Sequence, residues 1–238
     1  MLFRKLYTRE HFLLPKGVNK MNEILLVEQI KQIGVGLAFI IFPLVFVFAF
    51  AGHKGLFKPR LLGASELIKR ARGENLLHFG HVLVLLNTSL LIVVAIHFMN
   101  LLSHGPSAWA GLIGGAMAVI GAIILAADKG AFCLTMSALE TIPDKQFEQM
   151  QPGLLAIFSK KGWLVLMWGL LLLPIGFAIQ TVALLTTHTL PNWQSILFLV
   201  GVLLVGVPDG LEIVNLSASI LMAAAFIPYG IQLISAAI

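Results

Sequence analysis

The segment that decides the fold is residues 75–102, NLLHFGHVLVLLNTSLLIVVAIHFMNLL, which contains no Lys, Arg, Asp or Glu. A helix needs about 20 mostly apolar residues to cross the hydrocarbon core of a bilayer, and this segment is longer. It also carries His78, His81 and His97, more titratable groups than any other apolar segment of the chain. The segment therefore predicts a transmembrane helix with ionisable side chains near both of its ends.

The composition of the whole chain is typical of a membrane protein. Of the 238 residues, 58% are hydrophobic and 11% are charged, whereas soluble domains contain about 25% charged residues. The formal net charge is +5, but the basic residues flank the apolar segments. This placement favours anionic membrane lipids on the cytoplasmic face as partners, and no nucleic acid is expected. Cys133 is the single cysteine, so the chain can form no internal disulfide.

The hydropathy pattern predicts an all-α integral membrane protein with a bundle of six transmembrane helices. Short amphipathic surface helices are expected near residues 22–32 and 144–158, where apolar side chains recur at helical spacing. The chain then divides into a basic N-terminal segment, residues 1–32, and a single transmembrane helical domain, residues 33–238. The approximate spans are 33–51, 76–102, 108–127, 162–188, 192–207 and 211–236.

The positions of the basic residues predict the orientation in the membrane. Of the 16 Lys and Arg residues, six lie in residues 1–31, six in the connection 52–75 and four in the connection 128–161. The connections 103–107 and 188–192 and the C-terminus carry none. Because positive charge is retained on the cytoplasmic side, the two basic connections are expected inside and the C-terminus outside. We expect a plasma membrane of the bacterial type.

The basic N-terminus leaves two topologies open. A single crossing by residues 33–51 separates two equally basic flanks, so that one of them must lie on the external side. The first alternative accepts this cost and gives six crossings, with the N-terminus outside. In the second, the segment folds back at Pro43 as a re-entrant hairpin, which gives five spans and an N-terminus inside. Six crossings is the preferred interpretation.

Five histidines are candidate cofactor or metal ligands. His53, His78 and His81 fall near the predicted cytoplasmic face, and His97 and His188 near the external face. Histidine is a common ligand of haem iron, zinc and copper, so haem b is the cofactor considered. However, His81 and His97 are 16 residues apart, which separates them by about 24 Å and about 160° around a helix. The alternative is that these histidines serve interfacial contacts or helix packing.

A polar group precedes the last predicted span. Asp209 and Glu212 are three residues apart, and Asn215 follows one helical turn later. One interpretation is a helix cap, in which Asp209 is the N-cap residue and Glu212 the third residue of the helix. The other is an ion or proton site, because the short fifth span can draw these carboxylates below the headgroups. Both interpretations are kept.

Small residues in the third predicted span favour close helix packing. Four-residue separations between small residues allow a neighbouring backbone to approach, and the span is interpreted as an internal helix. The pairs are Gly111 with Gly115 and Gly114 with Ala118. Two amides at membrane depth, Asn87 and Gln180, are expected to bond across the bundle. Familiar enzyme motifs are absent, so no catalytic residue is assigned.

Three functional hypotheses follow. The first is a non-catalytic component that binds a lipophilic molecule, such as a quinone, pigment or lipid, or joins a membrane protein complex or homo-oligomer. The second is a small ion-coupled or proton-coupled transporter or channel that uses Asp209, Glu212 and Asn215. The third is a haem-binding electron-transfer subunit with His97 as one axial ligand.

Overall fold

A computed structural model describes residues 20–53, 56–159, 171–205 and 211–238. Within these ranges the protein is helical and contains no β-strand, which confirms the all-α prediction. The structure describes eight helices, which are α1 Lys20–Ala51, α2 Ala64–Ala71, α3 Asn75–Leu101, α4 Ala108–Thr141, α5 Asp144–Phe158, α6 Leu172–Thr186, α7 Asn192–Leu204 and α8 Glu212–Ala237.

Four of these helices, α1, α3, α4 and α8, are long and apolar enough to cross a membrane. The other two apolar helices are shorter, with 15 residues in α6 and 13 in α7. Thirteen residues extend about 20 Å, less than the roughly 30 Å of a bilayer core. Residues 160–170 and 206–210, which belong to the predicted fourth and fifth spans and the turn after them, lie outside the described residues.

Helix α1 includes the helix predicted near residues 22–32 and continues from Lys20 to Ala51, with neither Pro nor Gly between Asn22 and Ile33 to end it. Its position on the membrane surface stays a prediction. The re-entrant hairpin at Pro43 is absent, since the helix passes through that residue. A proline is tolerated in a membrane helix when a neighbouring helix bonds the nearby backbone.

Beside Pro43, the side chain of Asn87 in α3 supplies such a contact. Its Nδ2 donates to the carbonyl oxygen of Phe42 at 2.8 Å. Gln180 in α6 likewise donates to the carbonyl oxygens of Ala95 in α3, at 3.0 Å, and Gly111 in α4, at 3.3 Å. Both amides therefore bond across helices, as their depth in the apolar segments predicts.

The helix predicted at residues 144–158 is present as α5. It continues through Pro152, where the sequence suggested a break. Helix α2 packs against it through a small apolar cluster. The buried members of that cluster are Ile68, Leu139, Phe147 and Leu154. The two short helices and the end of α4 thus form a small structure at one end of the molecule.

Neighbouring apolar helices pack in a consistent order. Helix α1 contacts α3 and α8. Further contacts join each apolar helix to the next, α3 to α4, α4 to α6, α6 to α7 and α7 to α8. Aromatic side chains from α1, α3, α6, α7 and α8 fill the core between them. These are Phe39, Phe98, Phe177, Phe198 and Phe226, each at most 3% exposed. These rings therefore fill much of the space between the helices.

Glycines allow α4 to approach its neighbours closely. A Cβ atom on Gly111 would lie 2.6 Å from Cβ of Leu102, the C-cap residue of α3, and one on Gly114 would lie 2.8 Å from the carbonyl oxygen of Gly176 in α6. Gly115 and Ala118 are buried on the same side. The opposite side is exposed, with Trp109 at 72%. The expectation of an internal helix is therefore wrong, because small residues line one face alone.

The backbones of α1 and α8 come close together at a pair of glycines, which the sequence pattern did not indicate. A Cβ atom on Gly36 would lie 2.7 Å from the carbonyl oxygen of Gly230, and one on Gly230 would lie 2.6 Å from that of Gly36. Beside them, Nε2 of Gln32 donates to the carbonyl oxygen of Leu233 at 3.0 Å. These contacts show that α1 and α8 run antiparallel.

We expect Gly36→Ala to lower the free energy of unfolding by about 1–3 kcal/mol, because the new methyl group must push the two backbones apart. Gly34→Ala in the same helix is the control, since a Cβ atom there meets nothing within 4 Å. Unfolding with a denaturing detergent in mixed micelles measures both. Equal stability of the two variants would contradict the close approach.

Candidate functional site

The carboxylate of Glu212 lies buried at the end of the molecule where α1 ends and α3 and α8 begin, next to the basic connections 52–75 and 128–161. We call this the basic end. Glu212 is the first residue of α8, and Leu211 is the N-cap residue without a side-chain cap. The predicted cap with Glu212 as third residue is therefore wrong. Asp209 lies outside the described residues.

Two cationic or protonatable side chains share one oxygen of Glu212. Nη1 of Arg70 lies 3.2 Å from Oε1, and Nδ1 of His53 lies 3.5 Å from the same atom. Nε of Arg70 also contacts Oε2 of Glu74 at 3.2 Å. The side chains of His53 and Glu212 are each 7% exposed and those of Arg70 and Glu74 are 13% and 15% exposed. This is a desolvated ion-pair network.

His81 joins this network through His53. Their ring centroids are 6.2 Å apart with the rings nearly perpendicular, and the other side of His81 contacts the ring of Phe132 at 4.6 Å. His78 lies one turn away on α3, where its Nδ1 is 3.4 Å from Oε1 of Glu140. We define the Glu212 cluster as five residues, His53, Arg70, Glu74, His81 and Glu212.

Helix α2 positions Arg70 over the basic end. Ile68 anchors the helix in the apolar cluster with α4 and α5, and Arg72 fixes its C-terminal end. The guanidinium of Arg72 donates to the carbonyl oxygens of Leu139 and Ile142 at 3.3 and 2.7 Å and pairs with Asp144 at 2.8 Å. Because Arg72 binds the backbone of α4, the neighbouring Arg70 is held toward α8.

Three residues of the Glu212 cluster carry a charge when its histidines are neutral. Glu74 and Glu212 contribute two negative charges, and Arg70 contributes one positive charge. A buried carboxylate is stabilised by a further positive charge beside it. His53 is in contact with Glu212 and can supply it by binding a proton. The arrangement is therefore chemically suited to binding and releasing a proton.

The remaining predicted site residues are placed apart from one another. Asn215 is buried one turn after Glu212 on α8. His97 lies at the opposite end, where its Nε2 is 2.8 Å from Oη of Tyr229. His188 is exposed with a positive φ of 51°, and its Nδ1 lies 3.0 Å from Oδ1 of Asn192. The five candidate histidines thus fall into three separate groups.

A metal site is not formed by these groups. Among the described residues, no three His, Cys, Asp or Glu side chains are placed to hold a metal ion. The sequence analysis missed Arg70, Glu74 and Tyr229. For Arg70 and Glu74 a signal existed, since a four-residue separation can place opposite charges together on a helix. For Tyr229 no sequence pattern indicated a partner.

The comparisons with known proteins return no relative for this chain. No family model, no curated protein and no solved structure matches it. The chemistry of the site is therefore argued from its own geometry.

We expect Arg70→Ala to lower the free energy of unfolding by about 3–5 kcal/mol, because it removes a buried cation that contacts both Glu74 and Glu212. Arg60→Ala is the matched control, since Arg60 pairs with Glu66 at a site where the two side chains are 67% and 44% exposed. Such a pair contributes about 1 kcal/mol or less. Detergent unfolding checks both, and a loss in Arg70→Ala no larger than in the control would contradict the desolvated network.

Proposed function

We propose that this protein is a small proton-coupled or ion-coupled membrane transporter that binds its proton at the Glu212 cluster. The observation that carries the proposal is the burial of the Glu212 carboxylate with Arg70 and His53 on one oxygen. Ionisable groups inside a membrane protein are expensive to keep and commonly mark ion or proton pathways. Buried partners of both kinds, a fixed cation and a histidine, suit reversible proton binding.

The sharing of Oε1 suggests how binding of a proton changes the cluster. When His53 is neutral, Arg70 is the cation that balances Glu212. A proton on His53 creates a second cation at the same oxygen, so that the two compete for it. Arg70 can then keep its ion pair with Glu74 while its contact with Glu212 weakens. Proton binding would thereby weaken the link from α2 to α8, as a transport cycle requires.

The topology that we propose has six crossings in a single bundle, as predicted from the sequence. Its support is the presence of four long apolar helices and of the two shorter ones, α6 and α7, packed among them. We place the basic end on the cytoplasmic side because positively charged connections are retained there. The proton would then exchange with the cytoplasm at Glu212.

One observation favours the first hypothesis, binding of a lipophilic molecule, as a second candidate. A groove of about 720 Å³ lies between the start of α4 and helix α6. Ala110, Ala178 and Val182 contribute apolar lining, and Ser107 and Thr186 contribute hydroxyls. Mostly apolar clefts of this size with a few polar groups are typical of small-molecule sites. The haem hypothesis stays a prediction.

The transport proposal is tested in proteoliposomes that contain a pH-sensitive dye. We expect wild-type protein to carry protons inward under a membrane potential that is negative inside, or against an imposed Na⁺ gradient. Glu212→Gln should reduce this rate at least tenfold, because it removes the carboxylate that Arg70 and His53 both contact. Glu66→Gln, which removes an exposed carboxylate from α2, should leave the rate unchanged.

Folding is controlled by gel filtration and detergent unfolding of both variants, and Glu212→Asp provides a variant that keeps the charge. A folded Glu212→Gln protein with wild-type flux would contradict the proposal. So would wild-type protein that moves no protons under either driving force.

The lipophile candidate has its own test. We expect wild-type protein to retain a lipophilic molecule through purification and Val182→Trp to lose it, because the indole fills the groove. Ile175→Trp on the same helix is the control, since Ile175 is 45% exposed and does not line the groove. Mass spectrometry under non-denaturing conditions measures the bound mass. Equal retention by both variants would remove this candidate.

A further inference from the structure

His97 and Tyr229 form a polar pair at the end of the molecule opposite to the Glu212 cluster. Nε2 of His97 lies 2.8 Å from Oη of Tyr229, so that the pair joins α3 to α8. The ring of Phe39 in α1 packs edge-on against both, with centroid distances of 5.4 Å to His97 and 5.0 Å to Tyr229. Tyr229 is 9% exposed, and His97 is half-buried.

The second ring nitrogen of His97 remains open. Within the part of the chain that the structure describes, Nδ1 has no hydrogen-bond partner. A phenol hydroxyl that donates to Nε2 holds the proton of the neutral ring on Nδ1. When the hydroxyl turns to accept, both ring nitrogens can carry protons. The pair can therefore take up a proton without moving either helix.

Among the described residues, few charged groups surround this histidine. Lys31 of α1 is the charged side chain that acts on it electrostatically, and Glu28 on the same helix pairs with Lys31 at 3.2 Å. Tyr229 is the titratable group that faces it from α8. Residues 108–127 of α4 contain no Lys, Arg, Asp, Glu or His. The residues of the Glu212 cluster are not among the groups that act on His97.

A continuous column of aromatic rings separates the two ends. It runs from Tyr229 through five phenylalanines to His53, and successive ring centroids are 5.0 to 6.1 Å apart. The phenylalanines are Phe39, Phe226, Phe42, Phe46 and Phe50. Phenylalanine offers no atom that carries a proton. Along α3 the two ends are about 24 Å apart, judged from His81 and His97.

We propose that His97, together with Tyr229, is a second proton-binding site, which exchanges protons with the side of the membrane opposite to Glu212. The aromatic column keeps the two sites from exchanging freely, so that transfer between them requires a conformational change. In the proton-binding step, His97 becomes an imidazolium in which Nε2 and Nδ1 each carry one proton. The hydroxyl of Tyr229 keeps its proton and accepts a hydrogen bond from Nε2. This inference rests on the proposed transport function for its role and on the local geometry for its site.

Direct observation of the ring tests the site without relying on transport. Protein with ¹⁵N-labelled histidine is placed in lipid nanodiscs, and the His97 signal is assigned by its loss in His97→Gln. We expect this signal to change from the neutral to the protonated form as the pH is lowered while the protein stays folded. Tyr229→Phe should shift the midpoint. A ring that stays neutral down to the pH of unfolding overturns the site.

Flux measurements test its role. In the proteoliposome assay His97→Gln should lose at least tenfold in rate, whereas His188→Gln, which changes an exposed histidine, should not. Wild-type flux in folded His97→Gln, together with lost flux in Glu212→Gln, overturns this inference and leaves the proposed function standing. If wild-type protein carries no protons, the proposed function is overturned, and the ring titration alone decides the site.

Discussion

The burial of the Glu212 carboxylate is the constraint on which the basic end of this protein depends. A charged group in an apolar molecule is tolerated when partners replace its water, and Arg70 and His53 do so at 3.2 and 3.5 Å. Arg70 reaches Glu212 because α2 is fixed to α4 and α5 through Arg72 and the apolar cluster around Ile68. The connection 52–75 is therefore part of the site and not merely a loop between spans.

The rest of the core has the opposite character. Phenylalanines from several helices fill it, and glycines allow the backbones of α1 and α8, and of α4 and α6, to come close enough to exclude water. Aromatic rings in contact lie between the Glu212 cluster and the His97 and Tyr229 pair. The two polar ends and the aromatic column between them are the arrangement that a carrier with access from one side at a time would need.

The helical fold and the bounds of α3 and α5 could be predicted, because length and periodicity are local properties of the sequence. The helix at residues 22–32 and its continuation into the first apolar segment could be predicted as well, since no residue ends α1 before Ile33. The contacts between residues that are distant in the sequence could not be predicted. Arg70 and Glu212 are 142 residues apart, and His97 and Tyr229 are 132 apart, so that only the packing of the helices brings them together.

The most direct measurement of the central claim is proton uptake by the purified protein in lipid, followed in weakly buffered solution after a pulse of acid. We expect wild-type protein to bind one more proton per chain than Glu212→Gln, because the variant lacks the buried carboxylate that stabilises a proton on His53. Equal uptake by two folded proteins would contradict it.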